Sequence, residues 1–567
     1  MKPKIPPSKK PLLIFFLLLL LCAFLLKVNI SSLISGKVDD WMFTPEYEIT
    51  WRGGIQATAV AKEGIGFSVG GAKDINNFRE NIKNGYLPLE TDITYEGLFY
   101  DYYFNTTLNK ECKELFCPAY SLAISKDPFS NQINHYLAVG LHSGLKASEF
   151  KRKKLNLVIV LDISGSMSSP LDIYYYDKFF GKNRTSKSPE PKIEIAKDVL
   201  IGITKHLNDE DRFGIVLFNN KGYVAKPLRK VEETDMDAIR NHISELTARG
   251  GTCFECGYKK ATELFNGVEL NDTEYENRII FITDAMPNIG ALDEDKLLGL
   301  TRKNAERRIY TTFVGVGVDF NTELVEYISK TKGCNYFSVH SEEEFKEKLD
   351  KYFDYVVTPL VFNLQLKIES EAFEIEKVYG SPEANESTGE IMKVSTLFPS
   401  EKKEEGVRGG IILIKLKKKS NSSAVDLKLV LTYEDRNGKE YKIEEVVSFP
   451  ASEREFYEDN GIRKAILLAR YADLMKNWIS YERSKIHKQT CTCRIIEPLE
   501  YYEKGIIPPH CICLSKWERT SDPLTVSEEY REIISRFSEH FRNEMQKIGD
   551  NTLERELEIL EILTERK

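Results

Sequence analysis

A chain of 567 residues with 42% hydrophobic and 29% charged residues has the composition of a globular protein, and its length indicates three or four domains. The net charge is −8, and no basic block dominates any long stretch, which argues against a nucleic-acid partner.

The first 35 residues form a basic and then apolar segment. Four lysines up to Lys10 precede an apolar run from Leu12 to Leu26, an order that places the N-terminus on the cytoplasmic side. The run is short for a membrane span, which needs about 20 residues, and it also fits the apolar region of a cleaved signal peptide. We expect residues 1–35 to be a single-pass anchor in the cell membrane, with a cleaved signal as the alternative. Either places the bulk of the chain outside the cytoplasm.

Residues 40–150 are rich in β-formers between glycines, which predicts a β-rich N-terminal domain. Within it, Cys112 and Cys117 flank a short polar loop, and a local disulfide is expected there in an exported protein.

From 153 to 358 apolar strands alternate with amphipathic helices. "LNLVIVLD", "DRFGIVLF" and "NRIIFITD" are nearly continuous apolar runs, as expected for strands covered on both faces. Between them, "KIEIAKDVLIGITKHL" carries its apolar residues at helical spacing. This β-α order predicts an α/β domain with a doubly wound, mostly parallel sheet.

Beyond this region the pattern changes twice. Residues 359–450 alternate apolar and polar side chains and predict a β-sandwich, whereas residues 451–567 predict a helical region. This last region contains two paired cysteine motifs, for which disulfides are favoured and a zinc site is the alternative. The cysteines are Cys491, Cys493, Cys511 and Cys513.

Oxygen-bearing side chains gather where the predicted α/β strands end. The first strand ends at Asp162, with Ser164 and Ser166 following at two-residue steps. Asp284 ends a later strand, and Thr252 lies in a glycine-bearing loop between them. Ligands bind outside the carboxyl ends of strands in open α/β sheets, so these side chains are expected to meet. Two carboxylates and three hydroxyls suit Mg²⁺, Mn²⁺ or Ca²⁺. The alternative, a helix N-cap followed by turn serines, explains Asp162 but leaves Thr252 and Asp284 unexplained.

This set of residues resembles the metal-ion-dependent adhesion site of the von Willebrand factor type A (VWA) domain, and the order of strands and helices over roughly 155–355 is similar to that family's fold. The resemblance implies a divalent cation, Mg²⁺ first and Ca²⁺ or Mn²⁺ as alternatives, whose shell is completed by an acidic residue of a protein partner. Asp162 and Asp284 would supply charge, and Ser164, Ser166 and Thr252 would supply geometry and hydrogen bonds. The flanking regions resemble exported VWA-containing proteins of the bacterial YfbK type, through "FSVGGAKDINNFRENIKNGYLP" and the strand-rich 359–450 region.

Two features depart from that family pattern. Cys253 directly follows Thr252, and residues 169–191 form a long insertion after the metal loop. The aromatic residues of the insertion are expected either to anchor a partner or to pack onto the N-terminal domain. They are Tyr174, Tyr175, Tyr176, Phe179 and Phe180.

The function expected from the sequence is therefore metal-dependent capture of a protein partner by an outward-facing membrane protein. The motifs H-E-x-x-H and G-x-x-x-x-G-K are absent, no catalytic residues are assigned, and a hydrolase is a minor alternative. A regulator or subunit of a membrane channel or surface assembly is the other alternative.

Overall fold

The computed structural model describes residues 37–44, 64–73, 75–106, 112–182, 184–187, 190–345, 351–381, 391–419, 425–451, 454–486, 491–493 and 511–565. The expected anchor or signal at 1–35 lies outside these residues. In the part of the chain that is described, no helix combines the length and the apolar character needed to cross a bilayer.

The described part of the N-terminal region holds five strands and two short α-helices. They are β1 (Gly64–Val69), β2 (Gly71–Ala72), α1 (Asn76–Lys83), α2 (Tyr95–Tyr100), β3 (Tyr103–Phe104), β4 (Cys117–Lys126) and β5 (Ile133–Lys146).

The α/β domain follows with the alternating order that the apolar runs predict. Its elements are β6 (Lys154–Asp162), α3 (Lys192–Thr204), β7 (Arg212–Phe218), β8 (Gly222–Lys230), α4 (Met236–Ser244), α5 (Phe254–Leu264), β9 (Tyr275–Thr283), α6 (Glu294–Glu306), β10 (Ile309–Val316), α7 (Thr322–Ser329), β11 (Asn335–Val339), α8 (Glu342–Phe345) and α9 (Phe353–Val357).

These strands form a seven-stranded sheet in the order β2-β11-β10-β9-β6-β7-β8, with every neighbouring pair parallel except β7 and β8. The central strand β6 is buried on both faces. Ile159 and Leu161 pack into the core beneath α3, whereas Val158 and Val160 pack on the side of α5. The predicted doubly wound, mostly parallel sheet is confirmed, and the edge strand β2 comes from outside the predicted 153–358 boundary.

A second, twelve-stranded sheet combines the N-terminal strands with those that follow the α/β domain. The later strands are β12 (Val361–Glu369), β13 (Phe373–Tyr379), β14 (Ile391–Lys403), β15 (Gly406–Arg408), β16 (Ile411–Lys418), β17 (Asp426–Asp435), β18 (Glu440–Ser448) and β19 (Phe456–Tyr457). The main path runs β13-β16-β5-β1-β14-β12-β17-β18.

This shared sheet differs from the two separate β domains, 40–150 and 359–450, that the sequence predicts. Strand β5 pairs with β16 along Ile411–Leu416, and β1 pairs with β14. The physical reason is edge pairing: β1 and β5 would otherwise leave rows of unpaired backbone groups, which the later strands satisfy.

The described part of the C-terminal region is largely helical. Its elements are α10 (Asn460–Ser484), β20 (Cys491–Cys493), β21 (Cys511–Cys513), α11 (Glu528–Ile548) and α12 (Glu554–Glu565). Helices α10, α11 and α12 share one apolar core with α1, in which Trp478, Phe541 and Leu560 are fully buried.

Candidate metal site

The structure brings the sequence-predicted residues to the carboxyl edge of the seven-stranded sheet. Asp162 is the last residue of β6, and Asp284 directly follows the adjacent parallel strand β9. Ser164 and Ser166 lie in the tight turn after β6, and Thr252 lies just before α5. All five are buried, with at most 3% of any of them exposed.

Hydrogen bonds fix the orientation of the Asp162 carboxylate. Ser164 donates its backbone N–H to Asp162 Oδ1 at 2.8 Å, and the Thr283 hydroxyl donates to Oδ2 at 2.6 Å. The hydroxyl oxygens of Ser164 and Ser166 are 3.1 Å apart. The turn after β6 therefore directs one carboxylate and two hydroxyls to one place.

Backbone contacts join the three loops that carry the five residues. The N–H of Gly165 donates to the carbonyl of Gly250 at 2.8 Å, which ties the loop before α5 to the turn after β6. The side chain of Asn288 accepts from the N–H of Thr252 at 2.8 Å, and the N–H of Asn288 donates to the Thr252 carbonyl at 3.0 Å. Thr252 is thus held to the loop that begins at Asp284.

A buried lysine, which the sequence patterns did not identify, forms ion pairs with two carboxylates of the site. The Lys192 ammonium at the start of α3 lies 2.9 Å from Asp284 Oδ2 and 2.5 Å from Asp319 Oδ1, with all three side chains fully buried. Burial alone lowers the pKa of Lys192, but the carboxylates of Asp284 and Asp319 raise it above its ordinary value. The ammonium therefore stays charged.

The charge of this cluster fits a divalent cation. Asp162, Asp284 and Asp319 oppose the single ammonium of Lys192, which leaves two negative charges when all are ionised. Burial, reinforced by the charge of Asp284, raises the pKa of Asp162 to about 7. Without a cation, the negative charge of these carboxylates is therefore unfavourable in this buried site.

A second observation supports the same fit. Asp284 Oδ1 is buried and has no hydrogen-bond partner among the described residues, although an unsatisfied buried carboxylate oxygen is costly. The carboxylate and hydroxyl oxygens of this site are hard ligands of the kind that Mg²⁺, Mn²⁺ and Ca²⁺ prefer. In the described ranges, this site included, no group of three or more His, Cys, Asp or Glu is placed to share a metal, so a cation here would also need the hydroxyl oxygens.

Asp319 carried a signal that sequence reasoning missed. It follows β10 at the same edge of the sheet, and a carboxylate after a buried strand is the pattern that identified Asp162 and Asp284. Lys192 carried no comparable signal, because a lysine at the first turn of a helix is usually solvated.

The aromatic insertion folds down over this edge of the sheet. Tyr174 stacks edge-on against Tyr86 at 5.0 Å between ring centroids and donates its hydroxyl to Asn81 at 2.6 Å. The backbone N–H of Tyr175 donates to Asp319 at 3.0 Å. The packing of Tyr174 on the N-terminal region confirms that expectation for this residue.

A C-terminal segment, Leu514–Pro523, covers the same face. Glu518 accepts a hydrogen bond from Asn288 Nδ2 at 2.7 Å and another from the Tyr176 hydroxyl. The Trp517 side chain is buried and donates to the carbonyl of Leu292 at 2.8 Å. Sequence patterns gave no indication of this cover, because it is separated from the metal loop by hundreds of residues.

Several cysteines of the described residues form disulfides. The expected Cys112–Cys117 disulfide is present, and a second disulfide joins Cys253 to Cys256 immediately after Thr252. Cys513 is disulfide-bonded, which favours the disulfide alternative over zinc for this cysteine. The backbone of β20 and β21 sets Cys491 opposite Cys513 and Cys493 opposite Cys511.

Comparison with known proteins agrees with the geometry. The family model of the von Willebrand factor type A domain matches residues 156–351. The chain therefore carries a VWA domain, and the predicted boundary of 153–358 encloses the matched range.

Curated relatives match this chain over a limited length. Inter-alpha-trypsin inhibitor heavy chain H1 of Bos taurus is 23% identical over 226 residues, which is 39% of this chain and 23% of the relative. The uncharacterized protein YfbK of Escherichia coli (strain K12) is 22% identical over 219 residues, 38% of this chain and 33% of YfbK. The match thus spans a third or less of either relative.

Among solved structures, this chain is similar to two proteins over part of its length. The von Willebrand factor type A protein of Catenulispora acidiphila has a TM-score of 0.38 and 12% identity, covering 65% of this chain and 82% of that one. The ArnB paralog VWA2 of Sulfolobus acidocaldarius has a TM-score of 0.37 and 13% identity, covering 79% and 97%.

Proposed function

We propose that this protein is a membrane-anchored, extracytoplasmic VWA protein that binds a divalent cation, Mg²⁺ in the first place, and captures a protein partner through an acidic residue. The observation that carries the proposal is the buried cluster at the carboxyl edge of the sheet, in which three carboxyl groups face one ammonium and Asp284 Oδ1 has no hydrogen-bond partner among the described residues.

The protein's own residues have separable roles in this proposal. Asp162 and Asp284 supply charge, Ser164 and Ser166 supply neutral oxygens from the turn that follows Asp162, and Thr252 supplies one from the loop before α5. The bound cation would supply a Lewis-acid position for an acidic oxygen of the partner. Lys192 holds Asp284 and Asp319 in place and limits the negative charge of the cluster.

The VWA domain and the relationship to the inter-alpha-trypsin inhibitor heavy chains and YfbK support a role in protein interaction. We therefore propose that the protein binds a partner and does not act as an enzyme. The Ser164 hydroxyl faces that of Ser166 at 3.1 Å, and neither contacts a histidine base among the described residues, as a serine nucleophile would require.

Disulfides at Cys112–Cys117 and Cys253–Cys256 support an extracytoplasmic location, because disulfides persist in oxidising compartments. The single-pass anchor at residues 1–35 remains part of the proposal on the basis of the sequence pattern alone.

Partner capture is tested with tagged full-length protein displayed on cells and covalently cross-linked to its neighbours, with Mg²⁺ or with EDTA. We expect a partner that is cross-linked by wild type in Mg²⁺ and lost both in EDTA and in Asp162→Asn. Asp209→Asn is the matched control, because Asp209 is an exposed aspartate of the same domain. A partner retained equally by wild type and Asp162→Asn would contradict the proposal.

A further inference from the structure

A cleft lies at the opposite edge of the seven-stranded sheet from the metal site. Its volume is about 800 Å³, and it is bounded by the starts of β9 and β10 on one side. The other side is formed by Phe362 of β12, Lys393 of β14 and the hairpin between β17 and β18. The α/β domain and the twelve-stranded sheet thus build the cleft together.

Positive charge dominates the walls of this cleft, although the whole chain has a net charge of −8. Four acidic residues lie there, Asp272, Glu276, Glu306 and Glu434. Seven basic residues face them, Lys153, Arg302, Arg308, Lys330, Lys332, Lys393 and Arg436.

Most of these cations have no acidic partner of their own. Lys330 pairs with Glu326 at 3.0 Å and Lys332 with Glu434 at 3.6 Å. Within the described residues, the remaining five make no ion pair within 4.0 Å: Lys153, Arg302, Arg308, Lys393 and Arg436.

The cations are also close enough to affect one another. Burial lowers the pKa of Lys153, Glu276 opposes that change, and Arg436 and Arg308 lower the pKa further. Arg436 comes from the β17–β18 hairpin and Arg308 from the start of β10, so positive charge from separate elements converges.

Aromatic rings give the cleft a firm apolar wall between the charges. The Lys332 ammonium lies 4.5 Å from the centre of the Phe362 ring, and the rings of Tyr310 and Phe362 are 5.9 Å apart. A bound molecule would meet this wall as well as the cations.

We propose that this cleft binds a multiply charged small anion bearing phosphate or sulfate groups. Unpaired cations held together repel one another, and an anion with several charged oxygens removes that repulsion while accepting charge-assisted hydrogen bonds. The arginines suit such groups because a guanidinium donates to two oxygens at once.

The test is isothermal titration calorimetry of the whole extracytoplasmic chain with two probes, inositol hexakisphosphate and sucrose octasulfate, at low and at moderate salt. We expect one molecule bound per chain, and a loss of affinity of about tenfold or more in Arg308→Glu/Arg436→Glu, because two charges of the site are reversed. The probe that binds more tightly identifies phosphate or sulfate as the recognised group.

Arg536→Glu is the control, since Arg536 is an exposed arginine of α11 that lies outside the cleft. Circular dichroism checks folding, and the milder Arg436→Gln keeps the test valid if the double variant unfolds. Absence of binding by both probes, or equal weakening in Arg536→Glu, would overturn the proposal.

A second inference concerns the Leu514–Pro523 segment and rests on the function proposed above. The Glu518 carboxylate is held by three donors: Asn288 Nδ2 and the N–H of Ser515, each at 2.7 Å, and the Tyr176 hydroxyl. The same Asn288 side chain accepts from the N–H of Thr252. One amide therefore connects this acidic residue to a candidate metal-binding loop.

The segment is anchored on both sides of Glu518. Asn321 Nδ2 donates to the Trp517 carbonyl at 2.9 Å, and Ser521 donates its N–H and hydroxyl to Asp177, both at 2.7 Å. With this cover in place, Asp162 and Asp284 have no exposed surface.

We infer that Leu514–Pro523 is an internal cover of the face that carries the candidate metal site, and that Glu518 is the acidic residue of this chain that holds it closed. A partner then gains access when the segment leaves Asn288 and Tyr176. While the segment is in place, an external carboxylate has no access to the candidate metal site.

Mn²⁺ is the probe for this cover, because it reports both binding and access of water through proton relaxation. We expect wild type to bind Mn²⁺ with low relaxivity, and Glu518→Gln to bind Mn²⁺ with higher relaxivity and faster hydrogen exchange in residues 514–523. Glu539→Gln, an exposed glutamate of α11, should behave as wild type.

The outcomes separate the two proposals. If neither wild type nor variant binds Mn²⁺, the metal site itself fails. If both bind with equal relaxivity and equal exchange, the metal site stands and the cover is refuted. Trp517→Ala, which removes the buried anchor, provides a second variant with the same expected direction.

Discussion

Lys192 is the residue that makes a cluster of buried carboxylates compatible with folding. Its ammonium contacts Asp284 and Asp319 at 2.9 Å and 2.5 Å in a place with no solvent exposure. Without it, the two carboxylates would face each other with no compensating charge, which is among the costliest arrangements in a protein interior.

We expect Lys192→Met to lower the free energy of unfolding of the metal-free protein by about 3–5 kcal/mol, because both carboxylates lose their buried partner. Urea unfolding in EDTA measures this. Lys260→Met is the control: its ion pair with Glu263 is largely exposed, so a loss below about 1 kcal/mol is expected. Similar losses in both variants would contradict the role assigned to Lys192.

Sequence patterns predicted some residues of the candidate site and not others. Asp162, Ser164 and Ser166 share one turn, so their spacing alone predicted that they act together. Thr252 and Asp284 were placed by the order of strands. The pairing of Lys192 with Asp319 was not predictable, because the contact is set by how α3 and the end of β10 pack in three dimensions.

His142 of β5 makes stability depend on pH. Burial, with a smaller contribution from Lys402, lowers its pKa to about 4, while an unfolded histidine titrates near 6.5. As the pH falls through about 6.5, the unfolded chain takes up a proton that the folded chain does not accept until about 4. Stability is therefore fully present above about 6.5 and is lost progressively between these two values.

We expect the titration of His142 to lower the free energy of unfolding by about 2 kcal/mol between about pH 7.5 and about pH 5. Urea unfolding of wild type and His142→Gln at both pH values measures it. The change with pH should be smaller by that amount in His142→Gln, and an equal change in both proteins would refute the assignment.

Among the elements, α1 and α12 are joined by a buried ion pair across nearly the whole sequence. Arg79 contacts Asp101 at 2.5 Å and also pairs with Glu556, which accepts from the Tyr102 hydroxyl at 2.7 Å. Arg79 is 5% exposed and Glu556 has no exposed surface. The C-terminal helix is thus held to the N-terminal region by charge as well as by apolar packing.

We expect Arg79→Met to destabilise the protein by about 3–5 kcal/mol, since Glu556 would remain buried without its cation. The double variant Arg79→Met/Glu556→Gln should recover part of that loss. Arg542→Met, which breaks the exposed pair with Glu561, should cost less than about 1 kcal/mol. A double variant no more stable than Arg79→Met alone would count against the buried pair.

The elements themselves were largely predictable, and their partners were not. Helical and strand periodicity located β6, α3, β7 and β9, because each element's apolar residues follow its own geometry. The pairing of β5 with β16 joins segments more than 250 residues apart, and no local pattern records which edge a strand will meet.

In the whole molecule, the α/β domain is an insertion within the strands of a single twelve-stranded sheet. Strands β1, β4 and β5 precede the domain, and β12 to β18 follow it. Edge strand β2 extends the seven-stranded sheet as well. The N-terminal region is therefore part of both sheets.

We expect a chain beginning at residue 151 to be insoluble, because β14 and β16 lose β1 and β5 and expose their edges and the apolar core they share. Co-expression with residues 37–150 should restore a soluble complex. The measurement is the soluble fraction and its elution on size-exclusion chromatography. A soluble, folded chain from residue 151 alone would show that the shared sheet is dispensable.

We propose above that the carboxyl edge of the α/β sheet binds a divalent cation through Asp162 and Asp284. Calorimetric titration of Mg²⁺ into EDTA-treated, dialysed protein tests it directly, with Asp162→Asn, Asp284→Asn and the exposed control Asp209→Asn. We expect one bound Mg²⁺ in wild type and in Asp209→Asn, and no bound Mg²⁺ in Asp162→Asn or Asp284→Asn. Equal binding in all four proteins, or none in wild type, would contradict it.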